Sequence, residues 1–136
     1  EGESTIVAGT LSERDGELAT VRTDAGEITA IVPAGAGVVD LHIRAEAVAL
    51  EETPTSASTT SIMNQLEGVV TAVDRGAQVD RVAVDVGLET PLQAVITRSS
   101  TERLGLSEGV GIGVRFKATA VRGLPRDVGA ATPDGQ

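Results

Sequence analysis

Val110-Gly111-Ile112-Gly113-Val114-Arg115-Phe116-Lys117-Ala118-Thr119-Ala120-Val121 decides the fold class. Val110, Ile112, Val114, Phe116, Ala118 and Ala120 alternate with Gly111, Gly113, Arg115, Lys117 and Thr119. Period two places one set on a core face and the other on an outer face, which is the signature of a half-buried β-strand. The same pattern recurs along the chain. Ile6–Leu11, Leu18–Thr23, Ile28–Val32, Val38–Arg44, Leu66–Val73, Val79–Val86 and Leu92–Thr97 are the further strands expected, with Asp15-Gly16 and Ala25-Gly26 as hairpin turns. One short helix is expected at about Ser99–Leu106, with Ser99 and Glu102 at capping-box spacing and Gly105 as its terminator.

The strand set repeats. Val7-Ala8-Gly9-Thr10 aligns with Leu66-Glu67-Gly68-Val69 at an offset of 59, and Ile43-Arg44-Ala45-Glu46-Ala47-Val48 aligns with Phe116-Lys117-Ala118-Thr119-Ala120-Val121 at an offset of 73. The second half is longer by about the helical segment and its flanks, and Arg44 becomes the counterpart of Lys117. Between the halves, Glu51-Glu52-Thr53-Pro54-Thr55-Ser56-Ala57-Ser58-Thr59-Thr60 has no apolar period and reads as a linker or surface loop. The expectation is an all-β protein of two small OB-like β-barrel subdomains, the second with one short helix. Residues 1–52 form the first subdomain, 53–60 the linker, 61–124 the second subdomain and 125–136 a disordered tail. A single sandwich is the structural alternative.

Composition narrows the function. The 136 residues hold 20 acidic against 11 basic side chains, a net charge of −9, and aromatics amount to 1%. A nucleic-acid surface needs clustered cations and often stacking rings, so none is expected. No apolar run approaches the roughly 18 residues of a spanning helix, so no membrane insertion is expected. Without cysteine and with His42 as the one histidine, thiolate metal sites, cysteine nucleophiles and a histidine-based triad fall away. No enzyme is expected, and no cofactor. All basic residues but Lys117 are Arg; a salt-rich cytoplasm and high-GC codon usage both account for this.

Ser61-Ile62-Met63-Asn64-Gln65-Leu66-Glu67-Gly68-Val69-Val70, then Leu104–Gly109, then Phe116–Val121, form an ordered set. It resembles the molybdenum-oxyanion-binding (Mop) module, found in molbindins, in molybdate-responsive regulators and at the C-terminus of molybdate and tungstate ABC-transporter ATPases. Val39–Val48 is similar to the Ile-Arg-Pro-Glu-x-Val stretch of transport-associated OB (TOBE) domains, with Ala45 where Pro is usual. Glu1-Gly2-Glu3 is similar to the segment that follows the nucleotide-binding domain of those ATPases, whose phosphate-binding loop has no counterpart here.

The resemblance implies a regulatory portion of a transporter ATPase on the cytoplasmic side, dimeric, that binds molybdate or tungstate at a subunit interface. Ser61 would supply a hydroxyl, Ile62 and Met63 backbone N–H groups, Lys117 an ammonium and Ala118 a further N–H, with Asn64 in the same motif. A tetrahedral dianion needs such donors and at least one positive charge. The family's Arg is Met63 here, which removes a charge-assisted donor; Arg115 and Arg122 are the nearby substitutes. The bland alternatives are a solvated Lys117, strand-start caps at Ser61 and Asn64, packing for Met63 and a surface His42. The functional alternatives are a dimerisation module without ligand, and a TOBE domain serving a sugar or other-anion transporter.

Overall fold

The computed structural model describes residues 4–35, 37–52 and 63–125. The first half forms β1 (Ser4–Asp15), β2 (Leu18–Thr23), β3 (Gly26–Ile31), β4 (Val38–Arg44) and, after a 3-10 turn over Ala45–Ala47, β5 (Ala49–Glu51). The second half forms β6 (Met63–Arg75), β7 (Val79–Asp85), β8 (Leu92–Thr97), α1 (Arg98–Leu104), β9 (Gly111–Lys117), a second 3-10 turn over Ala118–Ala120 and β10 (Val121–Pro125). The all-β expectation holds, with one short helix in the second half.

The hairpins form where the Gly signals put them. Gly16 (φ 67°) and Gly26 (φ 104°) take up the positive φ that the tight turns require. Thr23 Oγ1 fastens the second turn, accepting from the Ala25 N–H at 3.0 Å and donating to the Gly26 carbonyl at 2.7 Å.

Two local expectations are corrected. The long alternating run does not remain one strand: β9 stops at Lys117, and Ala118–Ala120 wind into a 3-10 turn before β10 departs. Small alanines at alternate positions satisfy a strand and a tight turn equally, so periodicity alone does not separate them. The helix starts earlier than expected, capped by Thr97, whose Oγ1 accepts from the Ser100 N–H at 3.1 Å. It ends at Leu104, two residues short of the expected Leu106, with Gly105 the terminator as expected, in the left-handed region at φ 63°.

The repeat is visible in the pairing. β1 runs antiparallel to β4 with Ser4 opposite Arg44, and β6 runs antiparallel to β9 with Met63 opposite Lys117. A bulge falls between Leu11 and Glu13 in β1 and between Val70 and Ala72 in β6, at the same place in each repeat.

The last strand of each half is exchanged. β5 pairs with β9 in a five-stranded sheet of order β5-β9-β6-β7-β8, and β10 pairs with β4 and β3 to close the barrel β1-β2-β3-β10-β4. Valines, Ile28, Leu41, Ile43, Leu92 and Phe116 fill one continuous aliphatic core spanning both sheets.

Side chains also reach between the halves. Asn64 Oδ1 accepts from the Thr29 N–H at 2.8 Å, and Asn64 Nδ2 donates to the Thr29 carbonyl at 2.9 Å. At the matching position of the first half, Thr5 Oγ1 accepts from the Gln93 N–H at 3.0 Å. These contacts fall at weak seams. β3 meets β10 only at Ile31 opposite Arg122, and β8 is a sheet edge. Asn64 therefore acts as a surrogate strand residue, satisfying backbone groups where no strand runs alongside.

Candidate oxyanion site

Lys117 ends β9 because the strand gives way to the 3-10 turn immediately after it (φ −72°, ψ 143°). Its side chain lies on the exposed outer face, with Met63, the first residue of β6, directly opposite. Such cross-strand neighbours have Cβ atoms roughly 5 Å apart. Ser61 and Ile62 lie outside the described residues.

The other candidates are placed as follows. Ala118 starts the 3-10 turn next to Lys117 with its methyl group buried, so its role in ligand binding would be through the backbone. Met63 is half-buried. Asn64 is 7% exposed, with its amide engaged on both sides by the Thr29 backbone. It positions β6 against β3, directly after Met63.

The two arginines considered as stand-ins separate. Arg115 lies on the same outer face as Lys117, between Gln65 and Ala49. Its Nη1 is 3.8 Å from Glu51 Oε1, while its buried Nε has no hydrogen-bond partner among the described residues. Arg122 lies elsewhere, on β10 beside His42 in the first barrel. The cation available near Lys117 is thus Arg115. Among the described residues Lys117 itself forms no ion pair.

At the matching place in the first half, Arg44 Nη2 is 2.5 Å from Glu46 Oε2. The hydrogen bond to Arg44 holds the Glu46 carboxyl below the usual range, and the same bond raises Arg44. The internal repeat pairs Arg44 with Lys117, and the contrast of Glu46 with Thr119, two residues after the cation, is the sequence signal for this ion pair. The bidentate hold of Asn64 on Thr29 had no sequence signal, because it joins strands that neither a hairpin nor a motif connects.

A further charged cluster is structural. Asp80 is fully buried and is gripped by Arg98 Nε at 3.0 and 2.9 Å, with the Gly76 N–H at 3.3 Å. Burial pushes its carboxyl up, but the Thr101 hydroxyl, Arg98 and Gly76 outweigh that and hold it below its ordinary value. Among the described residues no cluster of His, Cys, Asp and Glu suits a metal ion, and no helix is long and apolar enough to cross a membrane.

The strand-exchanged OB-like halves, with an exposed cation at the end of β9 opposite Met63, define an all-β domain. Residues 60–123, which contain the Ser61–Val70 and Phe116–Val121 motifs, match the family profile of the TOBE domain. The fold is similar to that of ModG, a cytoplasmic molybdate-binding protein solved with molybdate bound: TM-score 0.75, 23% identity, 90% of this chain and 96% of that chain covered. No curated protein matches the chain in sequence.

Proposed function

We propose that this chain is a regulatory domain that binds molybdate or tungstate and reports their supply to an ABC transporter on the cytoplasmic side of the membrane. The observation that carries the proposal is the placement of Lys117, exposed and free of ion pairing among the described residues, opposite Met63 in the segment that matches the TOBE domain. Lys117 provides the charge; Ser61 provides a hydroxyl; Ile62, Met63 and Ala118 provide N–H groups; Asn64 fixes the start of β6. A second copy closes the open side of the site, so the active form is a homodimer. The role is binding, not catalysis, with partner transporter components as the recipients of the signal. The similarity to a molybdate-binding fold supports this reading.

One observation favours a second reading, a dimerisation module of a transporter ATPase without ligand. Met63 stands where the family has Arg, and a charge-assisted hydrogen bond contributes about 1.5–3 kcal/mol. Arg115 on the same face offers a compensating cation.

Calorimetric titration with tungstate, molybdate and sulfate separates the two. Binding of the first two, lost in Lys117→Ala with the fold retained, is the expected result. Absence of binding in the wild type at millimolar ligand would leave the dimerisation module.

A further inference from the structure

The two halves present the same device twice. β4 ends in Arg44 (φ −76°, ψ 139°) and β9 ends in Lys117 (φ −72°, ψ 143°), each followed by a three-residue 3-10 turn whose first alanine is buried. Their cross-strand partners are Ser4 and Met63, each beginning the first strand of its half. A cation in the same backbone setting, at the exposed end of the equivalent strand, thus occurs in both halves of the chain. Two positions on, the halves differ in charge: Glu46 stands in the first and Thr119 in the second.

Glu46 folds back onto Arg44 with an Nη2–Oε2 distance of 2.5 Å, while both side chains stay largely in solvent, 65% and 48% exposed. Such an exposed pair adds little to folding. Its effect is on the local field. Any anion that reaches the Arg44 guanidinium also meets the Glu46 carboxylate. Repulsion between unit charges about 4 Å apart is worth roughly a factor of five in affinity in bulk water, and a dianion squares this to roughly thirtyfold. Thr119, in contrast, carries no charge and leaves the Lys117 field intact.

We propose that Glu46 is an intramolecular counter-ion that closes the Arg44 end of this chain to dianions, so that only the Lys117 end takes a tetrahedral oxyanion. The inference rests on the oxyanion-binding reading above, and it assigns to Glu46 the choice of which end is used. The chain is functionally one-ended although its backbone is two-fold repeated.

Tungstate titration of four chains tests it: wild type, Lys117→Ala, Glu46→Thr, and Glu46→Thr combined with Lys117→Ala. The wild type takes up one equivalent per chain and Lys117→Ala none. Glu46→Thr gains a second equivalent, and the combined variant recovers binding at the Arg44 end, at least tenfold tighter than Lys117→Ala. Circular-dichroism melts check that each chain is folded, and a Glu46→Gln chain repeats the measurement with a side chain of the same length.

Two equivalents in the wild type, or a combined variant as inert as Lys117→Ala, overturns the proposal. A wild type that binds nothing overturns the oxyanion reading at the Lys117 end. The combined variant then decides separately whether Glu46 is a lock: uptake supports it and silence refutes it.

Discussion

Replacing Asn64 by Ala removes the side chain that bridges β6 to β3 at Thr29, where β10 does not run alongside. Two hydrogen bonds disappear, at 2.8 and 2.9 Å, and the Thr29 N–H and carbonyl lose those partners. Each bond contributes about 0.5–1.5 kcal/mol net, and stranding partly buried backbone groups adds to the loss, giving about 2–4 kcal/mol in all. Against a total stability of about 5–15 kcal/mol for a typical domain, that is a large fraction. A fall in melting temperature of roughly 8–15 °C follows for a chain of this size. The chain has no Trp and no Tyr, so far-UV circular dichroism in urea and heat is the suitable probe. Asn64→Asp sharpens the test. Its carboxylate still accepts from the Thr29 N–H but sets a second acceptor against the Thr29 carbonyl. Protonation restores a donor, so the folded-state pKa of that group is raised. The variant's deficit relative to wild type should shrink as the pH falls through that raised value. A loss below about 0.5 kcal/mol in Asn64→Ala would refute the idea that the amide closes the seam.

Met63→Arg restores a bidentate cation beside Lys117 and should tighten tungstate binding about tenfold or more, read by calorimetry; unchanged affinity would show that residue 63 faces away from the ligand. Lys117→Ala, at an exposed position, should shift stability by no more than about 0.5 kcal/mol in urea titration, whatever it does to binding. Gly68→Ala should cost about 1–3 kcal/mol, because a Cβ there would lie 2.5 Å from the Asp85 carbonyl oxygen and 2.7 Å from Val84 Cγ1. Asp80 is held below its ordinary value when folded. Its contribution is therefore complete above the unfolded carboxylate pKa of about 3.9 and is lost as the pH falls through the lower folded value. Asp80→Asn should flatten that acid limb in urea midpoints measured from about pH 2 to 7; an unchanged limb would assign it to other carboxylates.

Much of the fold is legible because two signals are local. Alternation marks β2, β4 and β8 to the residue, and Gly with positive φ marks the turns between them. The strand exchange is not legible, since β5 and β10 are short and their partners are chosen by the direction in which the 3-10 turns release the chain. Ala118–Ala120 shows the limit: alanines at period two do not distinguish an extended chain from a tight turn. For the site, Lys117 stands out because the chain otherwise uses Arg, and its place at an exposed strand end agrees with that signal. Asn64 reads from the motif as one more ligand-side residue, and its amide is found on the Thr29 backbone. A polar residue at a strand start bonds to whatever backbone it meets, and only the tertiary arrangement fixes which one that is.

The exchange of final strands also sets the order in which a ribosome-bound chain can mature. The barrel built from the first half is closed by β10, the last of the described strands, so its seam stays open until the second half has been synthesised through Pro125. β5 likewise emerges early and must wait for β9. Pairings between segments so distant in sequence carry a high loop-closure cost and slow folding. Neither half therefore completes its sheet from its own strands, and the edges of β4 and β5 stay unpaired until β10 and β9 arrive.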